Sequence, residues 1–230
     1  MRMMVVFKKG YDMRFIGHLD LLRTVQRGLR RSKLPIAYSN GFNPHIKLSF
    51  AAPLSVGIIG EREMMELPLT EEVDKGRFIE VMNKVMPESL KIVDCHPIED
   101  KFPTLMSLVA GAEYKIYLTK DEASTKLMKS INDFITQESC VVERKTKSGI
   151  KPCDIKPFIK SITWEEKPTS YEITLITFQL QEGALKPTLW LDAFANFAQV
   201  DINAFEIHRE YILSKDQDGN LIPMEKLANG

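Results

Sequence analysis

No stretch of this 230-residue chain reaches the roughly 18 to 20 consecutive apolar residues that span a bilayer, so a membrane-embedded class is not expected. Met1 to Gly10 is too short and too basic to read as a signal peptide, and the expected setting is cytoplasmic, with no membrane partner. Cysteine is scarce. Cys95, Cys140 and Cys153 lie more than ten residues apart without a C-x-x-C pair, which indicates neither a disulfide framework nor a local zinc or iron–sulfur site. His18, His45, His96 and His208 are equally dispersed, and none stands in the H-E-x-x-H spacing of a metal helix. The chain is therefore expected to hold no metal and no cofactor of its own. Net charge is missing as well, since 31 Lys and Arg balance 31 Asp and Glu.

What is present is ordinary in amount and uneven in placement. Hydrophobic residues at 44% and charged residues at 27% are values for a globular chain that buries a core, not for a disordered one. The length fits one long domain or two of roughly 100 to 120 residues. Residues 1–60 carry ten Lys/Arg against two Asp/Glu, net +8, while residues 61–110 carry six against eleven, net −5. A second basic island, ERKTKSGIKPCDIKPFIK from Glu143 to Lys160, holds six basic and two acidic residues, net +4. Position, more than total charge, points to an anionic partner.

The period of the apolar residues predicts a strand over Met3–Phe7, then a turn, then a helix within RFIGHLDLLRTVQRGLRR from Arg14 to Arg31. Pro35–Tyr38, Ile46–Phe50 and Glu63–Leu69 read as strands, Val73–Val85 as a helix and Leu90–Cys95 as a closing strand. The irregular stretch Asp94–Gly111, with Pro97 and Pro103, reads as a boundary. Beyond it, Tyr114–Leu118, Cys140–Arg144, Tyr171–Leu180 and Phe205–Leu213 read as strands, Ala123–Ile135 as a helix, and Pro187–Phe197 as a helix with proline in its first turn. The expected class is α+β, with two ferredoxin-like β-α-β-β-α-β halves at residues 1–100 and 111–230. Trp164, Trp190, Phe194 and Phe197 are expected in the second core, with TKLMKS and KDQDGN on the surface.

Three constellations could carry chemistry. His18 and Asp20 open the first helix; they either cap and charge its N-terminus or make His18 a general acid or base facing a cleft. Leu22, Val25 and Leu29 recur on one face of that helix, so Arg23, Arg27, Arg30 and Arg31 gather on the other. Only Arg23 has a carboxylate in helical reach, Asp20, and unneutralised arginines suit phosphates. The loop from Ser39 to Lys47 concentrates Asn40, Gly41, Asn43, Pro44, His45 and Lys47, either as a plain turn or as an anion-binding edge formed by Asn43, His45 and Lys47. Phe15, Tyr38 and Phe42 are available to stack on bases, or to fill a core.

The segments RFIGHLDLLRTVQRGLRR and LPIAYSNGFNPHIKLSFAAPLSVG resemble the uncharacterised bacterial radical SAM-linked domain, which occurs fused to or encoded beside cobalamin-type radical S-adenosylmethionine enzymes. The likeness is specific in G-H-L-D, the Arg-rich helix and G-F-N-P-H-x-K-L-S-F, and the later KSGIKPCDIKPFI is also similar. It implies an accessory to a radical SAM enzyme, and, from the RNA-processing surroundings of such domains, an RNA substrate. The cysteine triplet of a radical cluster is absent, so this chain is expected to be the partner and not the radical enzyme. The element order with a His at the first helix is also similar to CRISPR-repeat-processing RNA endonucleases, which would make His18 the general acid or base of a metal-independent cut. The leading expectation is a non-catalytic RNA-binding or substrate-presenting module, and the alternative is that endonuclease.

Overall fold

The structure, a computed structural model, describes residues 1–146 and 149–229. The chain forms two compact units, one comprising Met1–Ala110 and the C-terminal stretch from Arg209, the other Gly111–His208. Both are α+β.

In the first unit, β1 (Arg2–Lys9) buries every residue from Met3 to Phe7, as the apolar run RMMVVF requires of a central strand covered on both faces. It pairs antiparallel with β3 (Ile59–Pro68), Val5 opposite Met65, and with β4 (Leu90–Ile98), Val5 opposite Cys95. Helix α1 (His18–Ser32) follows β1, and α2 (Lys75–Val85), capped by Asp74 accepting from the Arg77 N–H, joins β3 to β4. Strand β2 is only Ser49–Phe50, antiparallel to β3. The order is thus β2-β3-β1-β4 with helices in the crossovers. The expected strands Pro35–Tyr38 and Ile46–Phe50 shrink to β2 and two single-residue bridges, Ile36 to Leu69 and Tyr38 to Ile46. Pro35 offers no N–H and the Asn40–Pro44 loop diverts the chain, so the segment touches the sheet at points only.

One face of this sheet packs Met3, Val5, Phe7, Met65 and Leu67 under Leu21, Val25 and Leu29 of α1 and Phe78 and Met82 of α2. The other packs Met4, Val6 and Met64 with Leu105 of α3 (Leu105–Leu108), Ile212 and Met224.

The second unit opens with β5 (Gly111–Thr119), then α4 (Glu122–Lys129) and α5 (Ile131–Ile135) in place of the single helix expected over Ala123–Ile135. The break falls at Ser130, where ψ is 2°. A hairpin, β6 (Val141–Thr146) and β7 (Gly149–Asp154), stands as its own two-stranded sheet; Lys147 and Ser148 of the basic island lie outside the described residues. Strands β8 (Ile159–Glu166), β9 (Ser170–Leu180) and β10 (Gly183–Ala184) follow, then α6 (Pro187–Ala198), with Pro187 in its first turn, and β11 (Phe205–Lys215). β9 pairs antiparallel with β5, β8 and β10.

Trp190 and Phe194 are fully buried, their rings 5.6 Å apart, and each contributes about 1.5 to 3 kcal/mol by leaving water. Trp164 on β8 and Phe197 at the end of α6, expected in this core, are 37% and 40% exposed. Among the described strands β8 pairs with β9 alone, which leaves Trp164 at the sheet's edge. In TKLMKS the lysines are exposed but Leu127 and Met128 are buried, because α4 is amphipathic.

The C-terminal boundary also differs from the expected one at residue 230. From Arg209 the chain returns to the first unit: β11 pairs there with β12 (Leu221–Pro223), Met224 is fully buried among Met4, Val6 and Met64, and Arg62 binds Glu225 at 2.8 Å. Among the described residues no helix is long and apolar enough to cross a membrane.

Candidate nucleic-acid interface

Helix α1 begins after Gly17, whose extended backbone is the N-cap and contributes no side-chain bond, so His18 is the first helical residue and not a cap. Its exposed ring lies edge-on to Phe50, with centroids 5.4 Å apart. Asp20 sits in the first turn, where a carboxylate complements the helix dipole, and Arg23 reaches it at 3.2 Å. That pair is about two-thirds exposed on both sides, so it holds Arg23 only weakly.

The other three arginines differ in what they touch. On the flank near the end of α2, Gly28 is buried, and a Cβ there would press on the sulfur of Met86, the residue after that helix. Arg31, on the same flank, donates to the Val85 carbonyl and so satisfies an orphan acceptor at the C-terminus of α2. Arg27 and Arg30 are exposed, and among the described residues neither has a hydrogen-bond or ion-pair partner. These two are the unneutralised cations of α1.

Immediately before α1, a 3₁₀ turn at Tyr11–Met13 carries an aromatic and cationic cluster. The Arg14 guanidinium lies 3.4 Å from the Tyr11 ring centroid and 4.4 Å from that of Phe15. Tyr11, Phe15 and Leu19 are nevertheless 50%, 66% and 63% exposed. The turn is held from below by a buried lysine: Lys9 Nζ donates to the carbonyls of Arg14 at 3.2 Å and Ile16 at 3.0 Å. Burial pulls the Lys9 ammonium below its ordinary pKa, against the raising influence of Glu63. Glu63 in turn binds Arg209, Nε to Oε1 at 2.7 Å, and Gly60 is glycine because a Cβ would strike the Glu63 side chain.

The loop between the bridges is closed by one clamp. Ser39 Oγ is 2.8 Å from His45 Nδ1 and accepts the His45 N–H at 3.0 Å, while the Ser39 N–H donates to the His45 carbonyl at 2.8 Å. Gly41, at φ +119°, makes the turn inside it. The clamp leaves Asn43 and Lys47 exposed, Tyr38 44% exposed and Phe42 wholly in solvent. Loop and helix share one apolar cluster through Ile46, Val25 and Leu29. Among the described residues no hydrogen bond, ion pair or ring contact joins Asn43, His45 or Lys47 to His18 or to the α1 arginines. The arrangement offers cations and exposed rings from both elements, without a preformed His–His pair.

No group of three or more His, Cys, Asp or Glu among the described residues could hold a metal ion. Cys95 is buried and its thiol is pushed up to about 11 by that burial, and burial also raises Cys140, so neither is an activated thiolate. In the second unit, Arg144 of the basic island packs its guanidinium over Phe158 and donates to the Ala184 carbonyl at 3.0 Å.

Sequence reasoning missed the Lys9–Glu63–Arg209 cluster, whose three charges stand in separate strands among other charged residues, with no local signal that they meet. It also missed β7 and β8, where the lysines of the basic island conceal the strand pattern. The model of one protein family, described as an uncharacterized protein conserved in bacteria (DUF2344), matches residues 2–187. No curated protein matches the chain.

Proposed function

We propose that this chain, which belongs to the uncharacterised bacterial family DUF2344, is a non-catalytic RNA-binding module that presents its RNA to a cobalamin-type radical S-adenosylmethionine enzyme. The observation that carries the RNA half is the surface around α1. Among the described residues Arg27 and Arg30 are unpaired cations in the second half of α1, and exposed Tyr11 and Phe15 stand ahead of its first turn. Guanidinium groups take phosphates, and exposed rings stack on unpaired bases, so a single strand is the form of RNA that uses both. Phe42 and Lys47 of the clamped loop add a ring and a cation on a second element. The radical partner rests on the resemblance carried by G-H-L-D and G-F-N-P-H.

Fluorescence anisotropy with a labelled single-stranded RNA of mixed sequence tests the reading. The Arg27→Glu/Arg30→Glu double variant should keep its circular dichroism spectrum and bind weakly. Removing two phosphate contacts should lower the salt slope of binding by roughly 1.4 to 2. Unchanged affinity at low salt would remove the proposal. The same RNA should stay intact in EDTA; cutting to 2′,3′-cyclic phosphate ends that disappears in His18→Ala would replace the module by an endonuclease. Affinity purification of the native chain tests the partner, and recovery of no radical enzyme would remove that half.

A further inference from the structure

A cavity of 620 Å³ in the second unit lies between α5, α6 and the first strand of the hairpin. Its lining is mixed: Phe134, Val141, Leu189, Ala193 and Phe197 supply the apolar part, beside polar groups that include Glu143 and Asp192. Val141 is 63% exposed and Phe197 40%, although Phe197 still packs on Phe134 with ring centroids 5.5 Å apart. Val141, Val142 and Glu143 of β6 line this cavity and no residue of β7 does, so it runs along the edge of β6 that β7 leaves free.

The backbone of that edge is open. The Ile155 N–H donates to the Cys140 carbonyl at 2.9 Å, which makes Cys140 and Ile155 a hydrogen-bonded pair at the base of the hairpin. In an antiparallel ladder such pairs alternate, and the register sets Val142 opposite Cys153 and Arg144 opposite Lys151 as the next ones inward. The N–H and C=O groups of Val141, Glu143 and Lys145 therefore point away from β7. Among the described residues none of them has a backbone partner. A partly apolar trough beside an unpaired strand edge is what an extended peptide occupies when it adds a strand, with main-chain bonds to the edge and alternate side chains in the trough.

Charge chooses the occupant. The rim carries the carboxylates of Glu143 and Asp192, and Asp201 lines the adjoining hollow that also includes Asp192. At the trough these carboxylates favour ammonium or guanidinium groups, while Arg144 and Lys145, farther along β6, do not line it. We propose that the β6 edge and the α6 trough bind an extended segment of a partner protein, apolar at alternate positions and flanked by Lys or Arg, as an added strand. The site is independent of the RNA surface on α1 and stands whether or not that reading survives.

The test is selection of a display library of random 12-residue peptides against the full chain, followed by amide hydrogen exchange with the enriched peptide. Enriched sequences should alternate apolar residues between basic flanks. Their binding should slow exchange at Val141, Glu143 and Lys145 while Val142 and Arg144, already paired to β7, change little. Glu143→Pro deletes one outward N–H without touching the ladder and should weaken binding about tenfold or more. Asp192→Lys, a surface change outside the strand, should weaken it through charge and so keeps the test valid if the proline variant misfolds. No enrichment, enriched peptides that bind both variants as tightly as the parent, or protection of the edge by an RNA oligonucleotide instead of by peptide would each overturn the proposal.

Discussion

Replacing Glu63 by Gln measures how strongly the buried charges of the first unit depend on one another. The Glu63 and Arg209 side chains are 3% and 5% exposed. Arg209 gives two N–H groups to the carboxylate and two more to the carbonyls of Pro53 at 3.1 Å and Ala52 at 3.2 Å. Lys9, 1% exposed, is a second cation close enough to feel both. Glu63→Gln keeps the shape but removes the carboxylate that faces two buried cations. Breaking a buried pair from one side costs about 3 to 5 kcal/mol, whereas an exposed pair such as Arg23–Asp20 is worth about 0.2 to 1. For a chain of this size the melting temperature should fall by roughly 6 to 20 °C. The pH dependence has a definite sign. Lys9 already has a folded-state pKa below its ordinary 10.5, and loss of Glu63 lowers it further. The unfolded state is then the better proton binder, so the variant should regain stability relative to the native protein as pH rises towards 10.5. Thermal and urea unfolding near neutral pH and at about pH 9.5 checks both statements. The Glu63→Leu/Arg209→Met double variant should recover part of the loss, because Lys9 is then the one member of the cluster left as a buried ion without its carboxylate. A loss below about 1 kcal/mol in Glu63→Gln, or a further loss at alkaline pH, would refute the reasoning.

Arg31→Gln should destabilise the protein by about 1 kcal/mol, since it uncaps the Val85 carbonyl, and should reduce RNA affinity less than Arg27→Gln; equal losses of affinity would put both arginines in one role. His45→Ala/Lys47→Ala should keep stability within about 1 kcal/mol, as the two backbone bonds of the Ser39 clamp remain, while RNA binding falls. The opposite order in urea unfolding and anisotropy would make the loop a turn only. Cys95 is pushed up to about 11 from an ordinary 9.0, so the folded state binds the extra proton in that interval and stability should fall as pH rises through it. Cys95→Ala should flatten that alkaline decline in urea titrations, and an unchanged slope would refute the assignment.

Much of the fold is legible where one period dominates. β1 reads directly because Met3 to Phe7 are apolar in succession, and α1 because Leu22, Val25 and Leu29 recur at helical spacing opposite the arginines. Of the hairpin, β6 is legible over Cys140–Arg144, whereas β7 is not, since its sequence GIKPCD carries no clear apolar alternation and its first four residues are exposed. The helix break at Ser130 and the thin β2 strand are likewise outcomes of packing, with no proline or glycine at the break to announce it.

For this chain, sequence alone determines the mixed α and β class and the two basic regions. Both follow from local composition and spacing. Only the tertiary structure separates four arginines of similar appearance, because Arg31 finds a carbonyl 54 residues away while Arg27 and Arg30 have no partner among the described residues. It alone brings Arg209 to Glu63 across 146 residues and returns Met224 to the first core. It alone leaves the β6 edge open beside α6. Which polar groups are spent on the protein itself, and which remain for a partner, depends on long-range contacts that no local period encodes.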